Sequence, residues 1–372
     1  MKCVCICCFD HYATRMRSII DFFKSKGFET TYIISDYQHY GKYRFKAEYD
    51  NTVQIHVPEY KKNMSVNRIV SHLLFSKKVY RELCRIKPDV IFCNFPPNSL
   101  VETIIKYKRR NQCKVISDCY DLWPESFPYT KLNPILKTPF SFWKKLRDQY
   151  INESDLVTCV SEDGKERLTQ MGVKPAIRVI NPIIISENLP VFKFLTENHV
   201  SLCYLGHINH VTDVKLCIDL LSNIEKHKHV IFHHIGEGQN KEILYSGLAA
   251  AGVEIHSHGV VFDQEKKTEI YAQCDFGLNI PREEIHSSMA LKSLEYMMIG
   301  LPLLNAGVGD IHEIVENARL GINIQRDDIV SCAAEIAKTT AEDLWTFHNN
   351  CIDYYNNAIC NQNLTSVFED VL

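Results

Sequence analysis

The sequence predicts an α/β fold of two Rossmann-like domains whose parallel sheets face each other across a cleft, and three observations predict it. The chain has 372 residues, more than one ordinary hydrophobic core accommodates. Short apolar runs alternate with amphipathic stretches almost from end to end, the pattern of a parallel sheet covered on both faces. The alternation pauses at VINPIIISENLP and then starts again.

In the first half the strand candidates are KCVCICC, TTYIIS, VQIHV, DVIFCNF, KVISD and LVTCVS. Between the first two lies RMRSIIDFFKSKG, with Ile19, Phe22 and Phe23 at helical spacing and Gly27 as terminator. VNRIVSHLLFSKKVYRELCRIKPD repeats that pattern, with Pro88 as the stop. In the second half VSLCYLG, HVIFHHIG, VEIHSHG, DFGLNI, LPLLN and GINI read as strands. VKLCIDLLSNIEK, KEILYSGLAAAG, KKTEIYAQC, LKSLEYMMIG and IHEIVENA read as the helices between them. The expected division is 1–180, a linker over 181–197, a second domain over 198–340, and C-terminal helices over 341–372 that pack back on the first domain. Open parallel sheets bind ligands at the carboxyl ends of their strands, so the cleft is the expected site.

Composition narrows the class. Hydrophobic residues at 45% and charged residues at 23% belong to a globular chain rather than a disordered one. No apolar run approaches the roughly 20 residues that span a bilayer, and the N-terminus lacks signal-peptide features, so a cytoplasmic location is expected. Cys3, Cys5, Cys7 and Cys8 crowd one strand, where alternation puts the first three on one face and Cys8 on the other. With no second tight cluster, they read as small buried hydrophobes, and the 15 cysteines as reduced thiols.

A net charge of -3 hides an asymmetry: residues 1–180 hold 30 Lys and Arg against 19 Asp and Glu, while 181–372 hold 12 against 26. The basic half is expected to meet anionic lipid or a phosphorylated acceptor, unless the contrast is ordinary surface variation. KLNPILKTPFSFWKKLRDQY sets Phe140, Phe142 and Trp143 beside Lys144, Lys145 and Arg147. It reads either as a helix leaning on an anionic membrane or as one packed on the core.

The segment SSMALKSLEYMMIGLP carries the densest chemistry. Lys292, Glu295 and Met298 fall three apart, near one helix face. The helix N-terminus near Ser287–Leu291 offers unpaired N–H groups to a diphosphate, and Glu295 suits a ribose diol. The alternative is an ordinary Rossmann helix with surface charges. The motif K-x-x-E-Y-x-x-x-G-x-P, followed by NAGVGDIHEIVENARLGINI, resembles family 4 glycosyltransferases of the GT-B fold. The likeness continues upstream through YLGHINHVTDVKLCIDLL, HHIGEGQNKEIL and HGVVFDQEKKTEIYAQCDFGLNI. NFPPNSLVETIIKYKRRNQCKVISDCYDLWPESFP is similar to the DLWPES segment of bacterial capsule and O-antigen members, so the resemblance covers roughly residues 1–340.

That resemblance implies a retaining, metal-independent transfer of a sugar from a nucleotide-diphosphate sugar to an oligosaccharide acceptor carried on polyprenyl diphosphate. Nucleic acid has no place in it, and peripheral contact with the inner face of the cytoplasmic membrane suits it. It places the donor in the second domain. Glu295 would hold the ribose, and Ser287, Ser288, Met289, Ala290, Leu291 and Lys292 the phosphates or sugar. Gly206 would allow close approach of the diphosphate, Gly236 and Gly238 would bound the nucleotide pocket, and His258 and Asp263 would flank the base. Asp118 and Asp121 become candidates to touch the donor sugar or orient the acceptor, with a turn cap as the alternative for Asp121. Arg15 and Arg17 become candidates for a phosphate. The sequence departs from the family in two places: Ser287 replaces a frequent glutamate, and His207 and Asp213 stand near positions that often carry arginine and lysine. A non-catalytic subunit or a sugar-nucleotide epimerase on the same fold are the competing functions. His233 and His234 alternate in direction, and His256 and His258 share a face without a third ligand nearby in sequence, so no metal site is expected.

Overall fold

The computed structural model describes the whole chain apart from residues 64, 126–136, 186–188, 195–197 and 286–288 and the side chains of 137–139. It divides into two compact units, Met1–Asn181 with Asn363–Leu372, and Pro182–Gln362. The expected return of the C-terminal segment to the first domain applies only to its last ten residues. Residues 182–194 also fold with the second unit, where Phe192 and Phe194 stack at 5.3 Å.

Unit 1 is built on seven parallel strands: β1 (Lys2–Cys7), β2 (Glu29–Ser35), β3 (Thr52–Ile55), β4 (Val90–Phe95), β5 (Lys114–Cys119), β6 (Leu156–Cys159) and β7 (Ile177–Val179). Their order is β3-β2-β1-β4-β5-β6-β7. The last of these has no counterpart in the sequence reading, where its three residues run into the linker. Helices α1 (Ala13–Ser25), α2 (Val66–Ile86), α3 (Ser99–Lys108), α4 (Lys137–Asp148) and α5 (Glu162–Gln170) cover the sheet. In β1 Cys3, Cys5 and Cys7 are buried on one face and Val4 and Ile6 on the other, which explains an unbroken apolar run where a half-exposed strand would alternate. Helix α1 buries Met16, Ile19, Ile20 and Phe23 at i, i+3, i+4 and i+7. At its start Ser65 caps α2, accepting from the Arg68 N–H at 3.3 Å. Lys87 ends it in the left-handed region, ahead of Pro88.

Unit 2 holds β8 (His199–Leu205), β9 (His229–Ile235), β10 (Glu254–Gly259), β11 (Phe276–Asn279), β12 (Leu303–Asn305) and β13 (Gly321–Asn323), all parallel, in the order β10-β9-β8-β11-β12-β13. Its helices are α6 (Val214–Glu225), α7 (Lys241–Ala250), α8 (Gln264–Tyr271), α9 (Leu291–Ile299), α10 (Asp310–Asn317), α11 (Ile329–Lys338) and α12 (Ala341–Tyr354). His348 of α12 donates from Nδ1 to the Gly300 carbonyl at 2.6 Å, which ties this helix to the end of α9. The final helix, α13 (Leu364–Phe368), belongs to unit 1, where Phe368 packs 5.3 Å from Phe22 and 5.4 Å from Phe23.

Strand order reverses direction between β1 and β4 in the first sheet and between β8 and β11 in the second. The crevice beyond the strand ends at such a switch point is where doubly wound sheets bind ligands. The residues just after β1, β4, β5, β8 and β9 are therefore placed to meet a ligand, and they include Asp121, Gly206, His207, Gly236 and Gly238 of the predicted site.

Candidate functional site

In unit 2 the expected grip assembles at the switch point. Gly206 follows β8 with φ +125° and gives its N–H to the Ile235 carbonyl at 2.9 Å. Gly236 and Gly238 follow β9, with φ +150° and +149°. A Cβ on Gly236 would lie 2.2 Å from the Gly206 carbonyl oxygen, and one on Gly238 would lie 2.2 Å from that of Ile208. The two loops cross so closely that only glycine fits. His234 braces the crossing, with Nε2 3.0 Å from the Gly206 oxygen and Nδ1 2.8 Å from the Tyr245 hydroxyl.

Helix α9 starts at Leu291 with Ala290 as its cap residue, whose methyl side chain can satisfy none of the first N–H groups. Tyr296 fixes it to the sheet: its hydroxyl accepts from the Leu205 N–H at 2.8 Å and donates to the Cys203 carbonyl at 3.2 Å. The helix is thereby held with Lys292 beside Gly206. Lys292 Nζ lies over the Tyr204 ring, 3.9 Å from its centroid, in cation–π contact. Met289 packs partly against the core, and Leu291 is exposed. Ser287 and Ser288, the remaining residues of the expected phosphate grip, lie outside the described residues.

Glu295 is half-buried one turn further along α9. Its Oε1 accepts from the Tyr271 hydroxyl at 2.8 Å and pairs with Lys267 Nζ. Oε2 has no donor among the described residues. Burial and the neighbouring Glu295 carboxylate push the Tyr271 hydroxyl far up, so it stays a donor. Sequence reasoning missed Lys267, Tyr271 and Tyr296. The tyrosine beside Glu295 is part of the K-x-x-E-Y motif, but its locking role depends on β8 lying behind it.

Three residues of unit 2 stand differently from the sequence reading. Asp263 is exposed and caps α8, accepting from the Glu265 and Lys266 N–H groups at 2.9 and 3.2 Å, so its carboxylate serves the helix rather than a base. Asp213 caps α6 and pairs with Arg326 at 2.7 Å, while Lys215 reaches solvent and Asp219. His207 is exposed, as a phosphate-facing group needs to be. His258 Nε2 meets His233 Nδ1 at 3.1 Å, the two rings stacked, and His256 is tilted against His233 with ring centroids 4.8 Å apart. The third histidine that the sequence spacing lacked thus comes from the neighbouring strand. Even so, no group of three metal-binding side chains has ligating geometry among the described residues.

In unit 1 the expected carboxylate site is occupied by its own neighbours. Asp118, at the end of β5, is 0% exposed. It accepts from Arg15 Nε and Nη2 at 3.0 and 2.7 Å, Asn94 Nδ2 at 2.8 Å and Thr158 Oγ1 at 2.6 Å. Arg15 spends its remaining edge on the Ile180 carbonyl. The structure therefore corrects the assignment of both residues to ligands: each is buried and saturated by the other. Arg17 is exposed on α1. Asp121, in the loop after β5, is half-buried close to Tyr12 and Tyr40, whose hydroxyls it helps to push up.

Trp123 and Glu125 of DLWPES serve as scaffold, and Ser126 lies outside the described residues. Glu125 takes bonds from Arg147 at 2.7 and 3.0 Å and Lys144 at 2.7 Å, and Asn98 donates to the Trp123 carbonyl at 3.0 Å. Phe140 and Trp143 pack against Trp123, and Leu146 and Arg147 are buried too, while Ser141, Phe142 and Lys145 are exposed, so the described part of α4 lies packed on the protein along one face.

Comparison with known proteins fits this geometry. Residues 13–187 match the model for Glycosyltransferase Family 4, and residues 199–342 match that for Glycosyl transferases group 1. Both units and most of the chain are covered, so the chain belongs to the glycosyltransferases of the GT-B fold. Among solved structures it is similar to the sucrose-phosphate synthase of Thermosynechococcus elongatus, with 11% identity, 99% of this chain and 96% of that one covered, and a TM-score of 0.71. It is also similar to Anabaena Alr3699/HepE in complex with UDP (13%, 100% and 98%, TM-score 0.66), which has also been solved with UDP-glucose. A third is the apo lipopolysaccharide outer core galactosyltransferase WaaB (14%, 95% and 99%, TM-score 0.55). At these identities the likeness is one of fold. No curated protein sequence matches the chain.

Proposed function

We propose that the protein moves a sugar, with retention at the anomeric carbon, from a nucleotide-diphosphate sugar to a lipid-linked oligosaccharide in surface-polysaccharide assembly. The observation that carries the donor half is the cluster of Gly206, Gly236, Lys292 and Glu295 at the unit 2 switch point. The diphosphate would lie along the glycine crossing, with Lys292 and the free N–H groups of α9 against the charge that develops on departure. The ribose hydroxyls would donate to Glu295 Oε2, the oxygen left without a protein donor. Neighbours solved with UDP and UDP-glucose support this reading.

The acceptor hydroxyl would attack the anomeric carbon from the side the phosphate leaves. The departing phosphate oxygen takes the hydroxyl proton as the new glycosidic bond forms, so neither a protein nucleophile nor a metal is required. Asp121 is the remaining carboxylate candidate for orienting the acceptor; Asp118 is committed to Arg15.

Calorimetric titration with UDP, GDP and CMP tests the donor half. One nucleotide should bind selectively, and Glu295→Ala should weaken it by about 1–3 kcal/mol, the value of hydrogen bonds to a charged group. Equal affinity in a folded mutant removes Glu295 from the ribose. The runner-up is a non-catalytic subunit, favoured by Asp213 being tied to Arg326 where the family often has a free cation. It would bind nucleotide without turning over any sugar donor.

A further inference from the structure

Beyond the strand ends of unit 1 lies a cavity of about 270 Å³, between the start of α2 and the aromatic face of α4. Its wall is almost wholly apolar: Val66, Ile69, Pro96, Trp123, Phe142 and Trp143. Asn63, Ser65, Arg68 and His72 interrupt it. His72 is buried, and its Nε2 has no hydrogen-bond partner among the described residues. Arg68 lies over the Trp123 ring, with its guanidinium carbon 5.7 Å from the centroid, and gives one N–H to the Asn63 carbonyl at 3.1 Å. No carboxylate pairs with Arg68 among the described residues. Tyr60, Cys8, Tyr12 and Tyr40 lie within electrostatic reach of it, all neutral near pH 7. A half-buried guanidinium without a counter-charge, next to a buried nitrogen without a partner, is costly unless an anion completes the site.

The cavity opens onto a second unsatisfied feature. Val66, Ile69, Val70 and Leu73 follow one another at i, i+3, i+4 and i+7 along α2, yet they are 73%, 39%, 41% and 42% exposed. Phe142, at the cavity mouth, is 58% exposed. An apolar helix stripe normally faces a core, and this one faces outward. Exposed Lys61, Lys62 and Lys77 flank it. A cation at the inner end, an apolar chamber around it and an apolar track leading away match a ligand with an anionic head and a long hydrocarbon tail.

We infer that this cavity and the α2 stripe bind the lipid phosphate of the acceptor, with the phosphate at Arg68 and His72 and the first isoprene units against Trp123, Trp143 and Phe142. The inference rests on the acceptor half of the function proposed above and gives it a place and a chemistry. At about 270 Å³ the chamber is smaller than most small-molecule pockets, so it holds only the head end of the chain. The α2 stripe carries the later isoprene units. A flat bilayer would use the stripe but has no need of a concave chamber with its cation set inside.

Two of the three tryptophans in the chain, Trp123 and Trp143, line the chamber, so a Trp345→Phe background makes fluorescence a direct readout. Farnesyl diphosphate, added below its micellar concentration to the full chain, should give a saturable change. Arg68→Gln should weaken it at least tenfold, and Phe142→Ser severalfold. Inorganic diphosphate at the same concentration should not compete, because the tail supplies much of the affinity. No saturable change, or undiminished affinity in Arg68→Gln, overturns the site. An equal response to phosphatidylglycerol vesicles lacking any prenyl lipid also overturns it, by showing a membrane-docking surface instead. UDP titration of the same samples separates the two levels. UDP binding without farnesyl diphosphate binding refutes the site alone, whereas the reverse refutes the donor reading. UDP binding retained by Arg68→Gln shows that the variant is folded.

Discussion

Two rows of side chains occupy equivalent places in the two sheets and are built from opposite materials. In unit 1, Asn94, Asp118 and Thr158 stand side by side near the ends of β4, β5 and β6. In unit 2, Asn279, Asn305 and Asn323 stand side by side at the ends of β11, β12 and β13. The second row is neutral: Asn279 donates to Asn305 and Asn305 to Asn323, both at 2.8 Å, and Asn323 donates on to the His312 carbonyl at 2.9 Å. The first contains a buried carboxylate and so requires a buried cation, Arg15. A sheet edge braced by amides leaves its nearby lysine, Lys292, free for a ligand. A sheet edge braced by an ion pair consumes its arginine, and the ligand-facing cation must come from elsewhere, here from Arg68 at the start of α2.

The sharpest test of that contrast is to empty the middle position of each row. Asp118→Ala leaves Arg15 buried without its partner, and breaking a buried pair in this way typically costs about 3–5 kcal/mol. Urea unfolding followed through Trp123 and Trp143 in a Trp345→Phe background should show a loss of that size. A loss under about 1 kcal/mol would mean that water reaches Arg15. Asn305→Ala strands the Asn279 amide, the Asn323 carbonyl oxygen and the Gly307 N–H, all neutral groups costing about 1–3 kcal/mol each where no water reaches them. Asp118→Ala strands the Asn94 amide, the Thr158 hydroxyl and a buried charge as well. The effect of Asn305→Ala should be smaller and confined to unit 2, read through Trp345 with Trp123 and Trp143 replaced. If Asn305→Ala proves the more damaging, the contrast between charged and neutral rows fails.

Much of the fold was legible in the sequence. Period and punctuation gave twelve of the thirteen strands, because a strand buried on both faces writes an unbroken apolar run and glycine or proline marks its end. Ile177–Val179 escaped because three half-buried residues leave no such run. The glycines, Lys292 and Glu295 were legible because backbone approach and motif spacing are local. What was hidden is long-range pairing. Asp118 and Arg15 are 103 positions apart, and nothing local says that two charged residues at strand ends will neutralise each other rather than meet a ligand. Asp263 misled in the other direction, since a helix cap and a ligand carboxylate look alike in one dimension. The α2 stripe was missed because its apolar spacing is that of any core-facing helix, and only the fold shows that part of it faces outward.

Acid should separate the two edges again. Burial, assisted by the charge of Arg68, lowers His11 to about 4 and His39 to about 3, and holds His72 well below the ordinary histidine range. In unit 2 burial lowers His233 to about 4, with His256 and His258 adding to it, and it also lowers His234, His258 and His348, which do not share one common ring cluster. For each, the folded value lies below the unfolded one near 6.5, so the unfolded chain takes up the proton first. Their contribution to stability is complete above pH 6.5 and drains away as pH falls from there towards 4. Unit 1 carries three such rings against Phe9, at 5.3, 5.0 and 5.4 Å. Its melting temperature should therefore fall further than that of unit 2 between pH 7 and pH 5. Equal falls would mean that the rings around Phe9 protonate without cost.

The smallest effect belongs to the ion pair between Lys267 and Glu295. Lys267 and Tyr271 both engage Glu295 Oε1, and the ribose is assigned to Oε2. If the pair positions the carboxylate, Lys267→Met removes one of two anchors, and nucleotide affinity should weaken about two- to fivefold, or roughly 0.5–1 kcal/mol. If Lys267 instead competes with the ribose for Glu295, the same substitution should tighten binding. The sign decides, and Tyr271→Phe fixes its meaning. A positioning role predicts that losing the second anchor weakens binding by a similar step, since Oε1 then keeps only the lysine. A competing role predicts that Tyr271→Phe leaves binding as weak as before while Lys267→Met improves it. In unit 1 the saturated Asp118 admits no such test, because there the carboxylate has no oxygen left to offer.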